Sequence, residues 1–479
     1  GNYIGKAGLE RFYEKELRGN KGIKYLLRNA ANNTVQSFDE GRMDTLAVQG
    51  KNLTLSIDIE LQAYGEALMK NKLGCIVAIE PATGELLAVV SSPSYDPNLL
   101  VGRQNISANY PKLLLDPYKP LFPRPTQAEY PPGSIFKLAQ ALIAMQEGVI
   151  TANTGFPCTS SIVGCHGHAP ANNVPAAVQV SCNPYFYYTT KKIIEQGKHK
   201  SIFEDAAIGL ELWEQYMNSF GFGVKMETDI FGIRPGLIPN PAFYDRWYGK
   251  NGWAFKTIRS IAIGQGEVKL TPLQMANMAA IIANRGWYYT PHTVKSIGDD
   301  GPKPEYLIKH KTMVDSIHFV PVIEGMRKVT EEAGGTGRNA KVPGITVCGK
   351  TGTVENRQGK DHSVFVAFAP MEDPKIAIAV FTENAGFGGT WSAPISSLMM
   401  ECFGYAVLEQ DYFTCAGVAN SFAHRCASGF VIWCECRNNR QSVWRYTLHT
   451  SFTCFSRSEH AINNYAYWPG VHNSDAWFH

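Results

Sequence analysis

Residues 130–137 read Tyr-Pro-Pro-Gly-Ser-Ile-Phe-Lys, and this stretch does most to decide the fold. It ends a proline-rich segment without periodicity and begins a long run of apolar residues at helical spacing. Ser134 and Lys137 stand three residues apart, so on the first turn of a helix their side chains lie on one face. A lysine placed there can act as base toward a serine hydroxyl, which is otherwise a poor nucleophile. Alone, this S-x-x-K pattern is only weakly diagnostic, because it occurs by chance in long chains.

Two further motifs downstream strengthen the prediction. Ser181-Cys182-Asn183 is an S-x-N triplet, and Lys350-Thr351-Gly352-Thr353 ends a strand-like run that starts at Ile345. A serine with its lysine, then S-x-N, then K-T-G, in this order, is the signature of serine acyltransferases that react with penicillin. The chain therefore resembles the class B penicillin-binding proteins, most of all their elongation-specific branch, penicillin-binding protein 2. The resemblance runs from about residue 1 to about residue 405, and other stretches that support it are 74–85, 264–266 and 365–370.

Length, charge and hydropathy limit the classes of protein to which the chain can belong. With 479 residues it can bury a large core, and about two to three domains are expected. The net charge is only +3 and the charged residues of both signs are interspersed, which argues against a nucleic-acid partner. The sequence has no run of about 18 or more apolar residues and so predicts no membrane-spanning helix.

The start of the chain bears on its expected localisation. No signal peptide is visible, and the first residue is Gly1 rather than a methionine. The family that the chain resembles carries an N-terminal membrane anchor and a larger pedestal domain. The resemblance therefore implies the outward-facing part of such a protein, on the periplasmic side of the bacterial inner membrane, normally held there by an N-terminal helix absent from this chain.

Apolar periodicity predicts an α+β fold with one central antiparallel sheet flanked by helices, and the resemblance implies the penicillin-binding transpeptidase fold. Strands are expected at residues 54–57, 76–79, 86–90, 345–353, 363–369 and 376–382. Helices are expected after Asp58, over 134–147, from Thr271-Pro272 to Gly286, and from about Pro394. Residues 96–132 are rich in proline and predict a long ordered loop.

Three domains are expected along the chain. Residues 1–48 resemble the end of a pedestal and its linker, with a helix that carries Leu9, Phe12, Tyr13 and Leu17 at helical spacing. Residues 49–405 form the transpeptidase domain in this interpretation. Residues 406–479 form an atypical cysteine-rich tail that matches nothing in the family.

The tail differs from the rest in composition. No lysine follows Lys375, and six of the eleven cysteines lie in residues 402–454. We consider three interpretations: an out-of-frame or aberrant C-terminus, a disordered natural extension, and a small cysteine-rich module. Cys434-Glu435-Cys436 has the ligand types of a metal site, but a lone C-x-C is a weak signal.

The motifs supply the groups that acyl transfer requires. Ser134 is the nucleophile, and Lys137 is its base if burial and cationic neighbours such as Lys350 lower the lysine pKa. By resemblance, Ser181 relays the proton to the leaving nitrogen, and Asn183 orients Lys137 and the substrate amide. No cofactor is needed for this chemistry.

The third motif is expected to bind substrate. Lys350, Thr351 and Thr353 would hold the terminal carboxylate of the substrate. A side chain at Gly352 would block the substrate backbone from lying along the strand. The backbone N–H groups of Ser134 and Thr353 would form the oxyanion hole.

A metal site is expected just before and within the S-x-N triplet. Three thiolates and one imidazole make a closed tetrahedral zinc site, and some relatives in the resembled family carry a structural zinc at this place. The candidate ligands are Cys158, Cys165, His168 and Cys182, with His166 as the alternative histidine. A disulfide among these cysteines and free buried thiols are the competing interpretations. Cys75 and Cys348 are expected to be buried core thiols.

The resemblance implies a D,D-transpeptidase that cross-links peptidoglycan stem peptides ending in D-Ala-D-Ala and that β-lactams inhibit. It also implies partners in the cell-elongation machinery, among them a lipid-II polymerase. Three other functions remain open: a D,D-carboxypeptidase, a serine β-lactamase and a non-catalytic β-lactam sensor. A β-lactamase needs an added base for water, for which Glu204 and Glu211 are available without a recognisable motif.

Overall fold

The computed structural model of the protein describes residues 4–5, 7–356, 358–408, 431–433 and 447–449. The chain divides into two units, Gly1–Val407 and Leu408–His479. The second unit contains most of the predicted tail, including Cys434-Glu435-Cys436, which lies outside the described residues. The predicted domain limits after residues 48 and 405 stay predictions.

Helices occupy much of the first unit. In chain order they are α1 (Gly8–Phe12), α2 (Glu14–Arg18), α3 (Ile59–Met69), α4 (Arg103–Leu115), α5 (Arg124–Gln127), α6 (Lys137–Gln146), α7 (Val174–Gln179), α8 (Asn183–Ile194), α9 (Ile202–Ser219), α10 (Pro241–Tyr248), α11 (Phe255–Ile258), α12 (Pro272–Ala283), α13 (Phe319–Glu331) and α14 (Ser392–Leu408). None of the helices in the described parts of the chain combines the length and the apolar character needed to cross a membrane.

The strands form one five-stranded sheet and several small pairs. They are β1 (Leu26–Arg28), β2 (Thr34–Ser37), β3 (Leu53–Leu55), β4 (Gly74–Ile79), β5 (Leu86–Ser92), β6 (Trp287–Tyr289), β7 (Val294–Ile297), β8 (Lys309–Lys311), β9 (Cys348–Val354), β10 (His362–Ala369), β11 (Ile376–Thr382), β12 (Val431–Trp433) and β13 (Thr447–His449). The large sheet has the order β5-β4-β11-β10-β9, with every neighbouring pair antiparallel. The predicted α+β architecture with a central antiparallel sheet is confirmed.

The large sheet separates two apolar cores. Successive residues of a strand point to opposite faces, so Val77 and Ile79 of β4 join one core while Ile76 and Ala78 join the other. The first core takes its helical residues largely from α6, α8, α9, α12 and α13, and the second from α3 and α14. Burial of each large apolar side chain contributes about 1.5–3 kcal/mol before entropy is counted. Helix α6 lies inside the first core, with nearly all of its residues buried.

Local sequence explains two of the predicted helix starts. Asp58 caps α3, because its carboxylate accepts from the backbone N–H groups of Glu60 and Leu61. Thr271 and Gln274 form a reciprocal capping box at the start of α12, followed by proline at the first helical position.

One local prediction was wrong, and another holds except for one residue. Residues 96–132 are not a continuous loop, because α4 and α5 lie within them and α4 accommodates Pro111 inside its thirteen residues. The helix predicted near the N-terminus is broken at Tyr13, which lies between α1 and α2. Tyr13 is fully buried, and its hydroxyl donates to the Asp229 carboxylate at 3.1 Å.

Candidate active site

A sharp turn at Gly133 positions the nucleophile. Gly133 has a φ of 59°, a left-handed conformation that favours glycine, and its N–H donates to the Gly264 carbonyl at 2.8 Å. A Cβ at this position would lie 2.8 Å from the carbonyl oxygen of Thr353 in β9. The chain continues as a short 3-10 helix and then as α6. Half-buried Ser134 thus stands against the end of β9, and buried Lys137 follows on the next turn.

Lys137 holds the S-x-N motif in place. Its Nζ donates to the carbonyl oxygen of Ser181 at 2.8 Å, to Ser181 Oγ at 3.2 Å, and to Asn183 Oδ1. These contacts account for all three donors of an ammonium group. Ser134 lies three residues earlier on the same tight turn, where side chains at that spacing eclipse one another. The structure therefore brings the first and second motifs together around one amine.

Ser181 also forms a hydrogen bond with the third motif. Lys350 Nζ donates to Ser181 Oγ at 2.9 Å and to the carbonyl oxygen of Thr351 at 2.9 Å. Ser181 has a φ of 55°, which is uncommon for a residue other than glycine and is a conformation often kept at functional sites. The buried hydroxyl of Ser181 thus stands between two lysine side chains that are themselves fully buried.

Burial changes the ionisation of both lysines. Removal from water disfavours an ammonium, and it lowers the pKa of Lys137 to about 7. The pKa of Lys350 is also lowered, first by burial and then by repulsion from Lys137. Both burial and a cationic neighbour such as Lys350 were expected to lower the pKa of Lys137, but burial is the cause of the lowering, and Cys165 and Cys182 oppose it. A neutral amine is therefore accessible near neutral pH.

The K-T-G motif lies in β9, an edge strand of the sheet. The expected role of Gly352 toward the substrate stays a prediction, and the structure adds a packing reason for glycine at this position. A Cβ there would lie 2.4 Å from Val364 Cγ1, 3.2 Å from Ile135 Cγ2 and 3.2 Å from the Pro132 carbonyl oxygen. A side chain at this position would collide first with Val364 of the neighbouring strand β10 and would also crowd the segment that carries the nucleophile.

Two groups near the site were not predicted from the sequence. Thr336 and Thr351 share a hydroxyl–hydroxyl bond of 2.7 Å, which adds Thr336 to the side of the cleft expected to hold the substrate carboxylate. Tyr130 donates to Glu383 at 2.7 Å, and Arg124 Nε donates to the same carboxylate at 2.9 Å. No local pattern signals these contacts, because they join residues far apart in the chain.

The predicted metal ligands also come together. Cys158, Cys165, His168 and Cys182 each offer a ligand atom, and these atoms all lie within 4.8 Å of one another. His168 Nε2 lies 3.2 Å from Cys165 Sγ and 3.6 Å from Cys158 Sγ. His166 is not part of this group, and its Nε2 lies 3.3 Å from the carbonyl oxygen of Val180.

The donor set fits a zinc ion. His168 Nδ1 lies 2.7 Å from the Ala169 carbonyl oxygen, so its proton is held there and Nε2 is left as a ligand. Cys165 accepts hydrogen bonds from the Cys182 thiol and from the Asn183 N–H, and these contacts lower the pKa of the Cys165 thiol. Such a thiolate binds zinc. All six cysteines within the described residues are free thiols, and Cys75 and Cys348 are buried as expected.

Family models match two parts of the chain. Residues 74–401 match the penicillin binding protein transpeptidase domain, and residues 1–55 match the penicillin-binding protein dimerisation domain. The first match contains all three motifs of the site.

Individual relatives agree with this result. The chain is 34% identical over 420 residues to the peptidoglycan D,D-transpeptidase MrdA of Acinetobacter baumannii, covering 81% of this chain and 59% of the relative. It matches the structure of Pseudomonas aeruginosa PBP2 in complex with WCK 5153 with a TM-score of 0.68 and 33% identity, over 84% of this chain and 82% of that one. It also matches Helicobacter pylori PBP2 in complex with MreC, with a TM-score of 0.67 and 28% identity, over 84% and 72% of the two chains. The chain thus spans less than two thirds of the curated relative's length.

Proposed function

Because the chain belongs to the penicillin-binding protein transpeptidase family, we propose that it is a serine D,D-transpeptidase that cross-links peptidoglycan stem peptides. The observation that carries this proposal is the meeting of two buried lysines at one hydroxyl. Lys137 Nζ and Lys350 Nζ both donate to Ser181 Oγ, at 3.2 and 2.9 Å. This arrangement joins all three motifs in one proton path from the nucleophile to a leaving group.

In the acylation step, Ser134 Oγ attacks the carbonyl carbon of the penultimate D-Ala, and its proton passes to the neutral amine of Lys137. The backbone N–H groups of Ser134 and Thr353 receive the resulting oxyanion. When the C–N bond breaks, Ser181 relays a proton from Lys137 to the leaving nitrogen. D-Ala departs with a free amine, and Lys137 is neutral again.

The transfer step runs in the opposite direction. The amine of a neighbouring stem peptide attacks the acyl-enzyme ester and gives up one proton, which reaches Lys137 through Ser181. As the ester C–O bond breaks, Lys137 returns that proton to Ser134 Oγ. One peptide bond has then replaced another, and the enzyme is unchanged.

Intact-mass time courses with benzylpenicillin test this proposal. We expect a long-lived adduct on the wild-type chain and none on Ser134→Ala, because the β-lactam mimics the D-Ala-D-Ala end. Absence of any adduct on the folded wild-type chain would overturn the acyltransferase assignment.

The same experiment separates the other functions. An adduct that disappears within seconds while penicillin is consumed would indicate a β-lactamase, for which Glu204 and Glu211 lie exposed on α9. A D,D-carboxypeptidase would transfer the acyl group of a D-Ala-D-Ala peptide to water even when an acceptor amine is present. A sensor would keep its adduct and turn over no peptide.

We further propose that Cys158, Cys165, His168 and Cys182 hold a structural zinc. Bound there, the ion would cross-link the loop around residues 158–168 to the S-x-N turn. The residues around the ion would then keep Ser181 and Asn183 in position, while the chemistry stays with Ser134 and the lysines. The donor atoms within 4.8 Å of one another support this proposal.

The proposed partners follow from the reaction. We propose that the enzyme acts on the periplasmic side of the inner membrane, beside a lipid-II polymerase and other elongation proteins that supply new strands. The PBP2 of Helicobacter pylori, to which this chain is similar, has been solved in complex with MreC, which supports an assembly of this kind.

A further inference from the structure

A cavity of about 350 Å³ lies along α8, the helix that begins at Asn183. Its lining comes from α8, from the loop that carries the cysteines, and from residues 254–259. The proposed mechanism uses none of these lining side chains.

The lining carries an excess of positive charge. The charged side chains of the lining are three cations and one carboxylate: Lys191, Lys256, Arg259 and Glu195. Glu195 is already engaged, because one oxygen accepts from the Phe255 N–H at 3.0 Å and the other lies 3.8 Å from Lys191 Nζ. Within residues 7–356, Lys256 and Arg259 are both exposed and form no ion pair. Two positive charges at the cavity are thus left without a protein counter-charge.

Helix α8 connects this charge to the reaction centre. Asn183, Tyr187 and Lys191 follow one another at four-residue spacing and so lie along one side of the helix. Eight residues of helix place Lys191 about 12 Å from Asn183. The cysteine loop borders both places, because the Gly164 carbonyl accepts from Asn183 Nδ2 at 2.7 Å while Ser161 lines the cavity.

We propose that this cavity is an anion subsite that binds a carboxylate of the donor stem peptide while Ser134 attacks its D-Ala-D-Ala end. Asn183 is expected to orient the substrate amide, and the rise of about 12 Å along α8 from Asn183 to Lys191 corresponds to about three or four residues of extended peptide. The favoured donor therefore carries an acidic group about three residues before the scissile bond. The subsite rests on the proposed function and gives it a substrate preference.

Competition with benzylpenicillin tests the subsite without requiring turnover. The probes are an acetylated peptide that ends in D-Ala-D-Ala, with a free carboxylate about three residues before the scissile bond, and the same peptide as its carboxamide. We expect the acidic peptide to slow acylation of the wild-type chain at about three- to tenfold lower concentration than the amide, as two partly exposed ion pairs allow. Higher salt should reduce this preference.

Matched variants assign the preference to the cavity. The double variant Lys256→Gln/Arg259→Gln should lose it, whereas Lys198→Gln/Lys200→Gln, which removes the same charge from exposed positions outside the lining, should keep it. Equal inhibition by both peptides, loss of the preference in both double variants, or no competition by either peptide would overturn the subsite. A benzylpenicillin adduct on Ser134 in the same samples shows that such a failure belongs to the subsite and not to the proposed function.

Discussion

The two regions on either side of Ser181 are built in different ways. On one side, Lys137 and Lys350 are fully buried and donate to the oxygen atoms of Ser181 at distances of 2.8 to 3.2 Å. On the other side, three thiols and one imidazole bring their ligand atoms within 4.8 Å of one another. The lysine region is complete with protein groups alone. The cysteine region gathers metal ligands, which a cation would hold together.

Ser181 connects the two regions through the backbone. Its φ of 55° places its hydroxyl between the lysines, and the next residue is the cluster thiol Cys182. The lysine region depends on the turn at Ser181, and it therefore also depends on the cysteine region that holds this turn in place. The comparison therefore predicts that changes among the lysines remove the chemistry, whereas changes among the cysteines only impair its geometry.

The largest effect is expected from Lys137→Met. Methionine keeps most of the buried volume but has no amine to take the proton of Ser134. The rate of acylation by benzylpenicillin should fall by about 10²- to 10⁴-fold, the usual contribution of a general base. Intact-mass measurements on samples quenched at successive times give this rate.

The matched control for that change is Lys192→Met, which removes an exposed lysine from α8. It should acylate at the wild-type rate. A Lys137→Met protein that keeps its rate within about tenfold of wild type would place the base elsewhere.

The pH dependence of acylation should follow Lys137. Burial lowers its pKa to about 7, and only the neutral amine accepts a proton. The rate should therefore rise with pH and level off above a midpoint near 7. Between pH 7 and pH 5 the neutral fraction, and with it the rate, should fall by about fiftyfold. A rate that stays constant from pH 5 to pH 8 would contradict this assignment.

A smaller effect is expected from Cys158→Ala, which removes the cluster thiol farthest along the chain from the S-x-N triplet. Native mass spectrometry should find about one zinc per wild-type chain and a loss of that zinc in the variant. Acylation should slow by about tenfold, because the S-x-N turn loses a fixed support.

Cys402→Ala is the control for this change, since Cys402 is a free thiol outside the cluster. It should retain both zinc and rate. Zinc-free wild-type protein that acylates as fast as the zinc-loaded form would show that the cysteine region does not support the lysine region.

The sequence predicted the elements whose signals are local. The hairpin at 76–90, the Asp58 cap and the Thr271 start all depend on neighbouring residues, and the structure has them. It did not predict α4, because proline content in 96–132 outweighed a helix that tolerates Pro111. It also missed the interruption at Tyr13, a buried residue whose hydroxyl bonds an aspartate 216 residues away.

The same division applies to the site. Motif order was enough to propose Ser134, Lys137, Ser181, Asn183 and Lys350, and cysteine spacing was enough to propose the cluster, with His168 ahead of His166. The spacing of motifs along the sequence could not predict contacts between β9 and the segments packed against it. The neighbours of Gly352 and the Thr336 hydroxyl become visible only when β9 meets the segments packed against it.

The smallest effect is expected from Thr336→Val, which extends the comparison to the far side of the cleft. Valine keeps the shape of threonine but removes the hydroxyl that bonds Thr351 at 2.7 Å. If that bond orients Thr351 toward the substrate carboxylate, its loss should cost about 0.5–1.5 kcal/mol, or about two- to tenfold in acylation. Thr312→Val, which removes a half-buried hydroxyl bonded to backbone oxygen atoms away from the motifs, should leave acylation unchanged. Equal losses of acylation rate in the two variants would mean that Thr336 supports the fold rather than the site. The lysine region would then be the one part of the described cleft in which hydrogen bonds between protein groups support the chemistry.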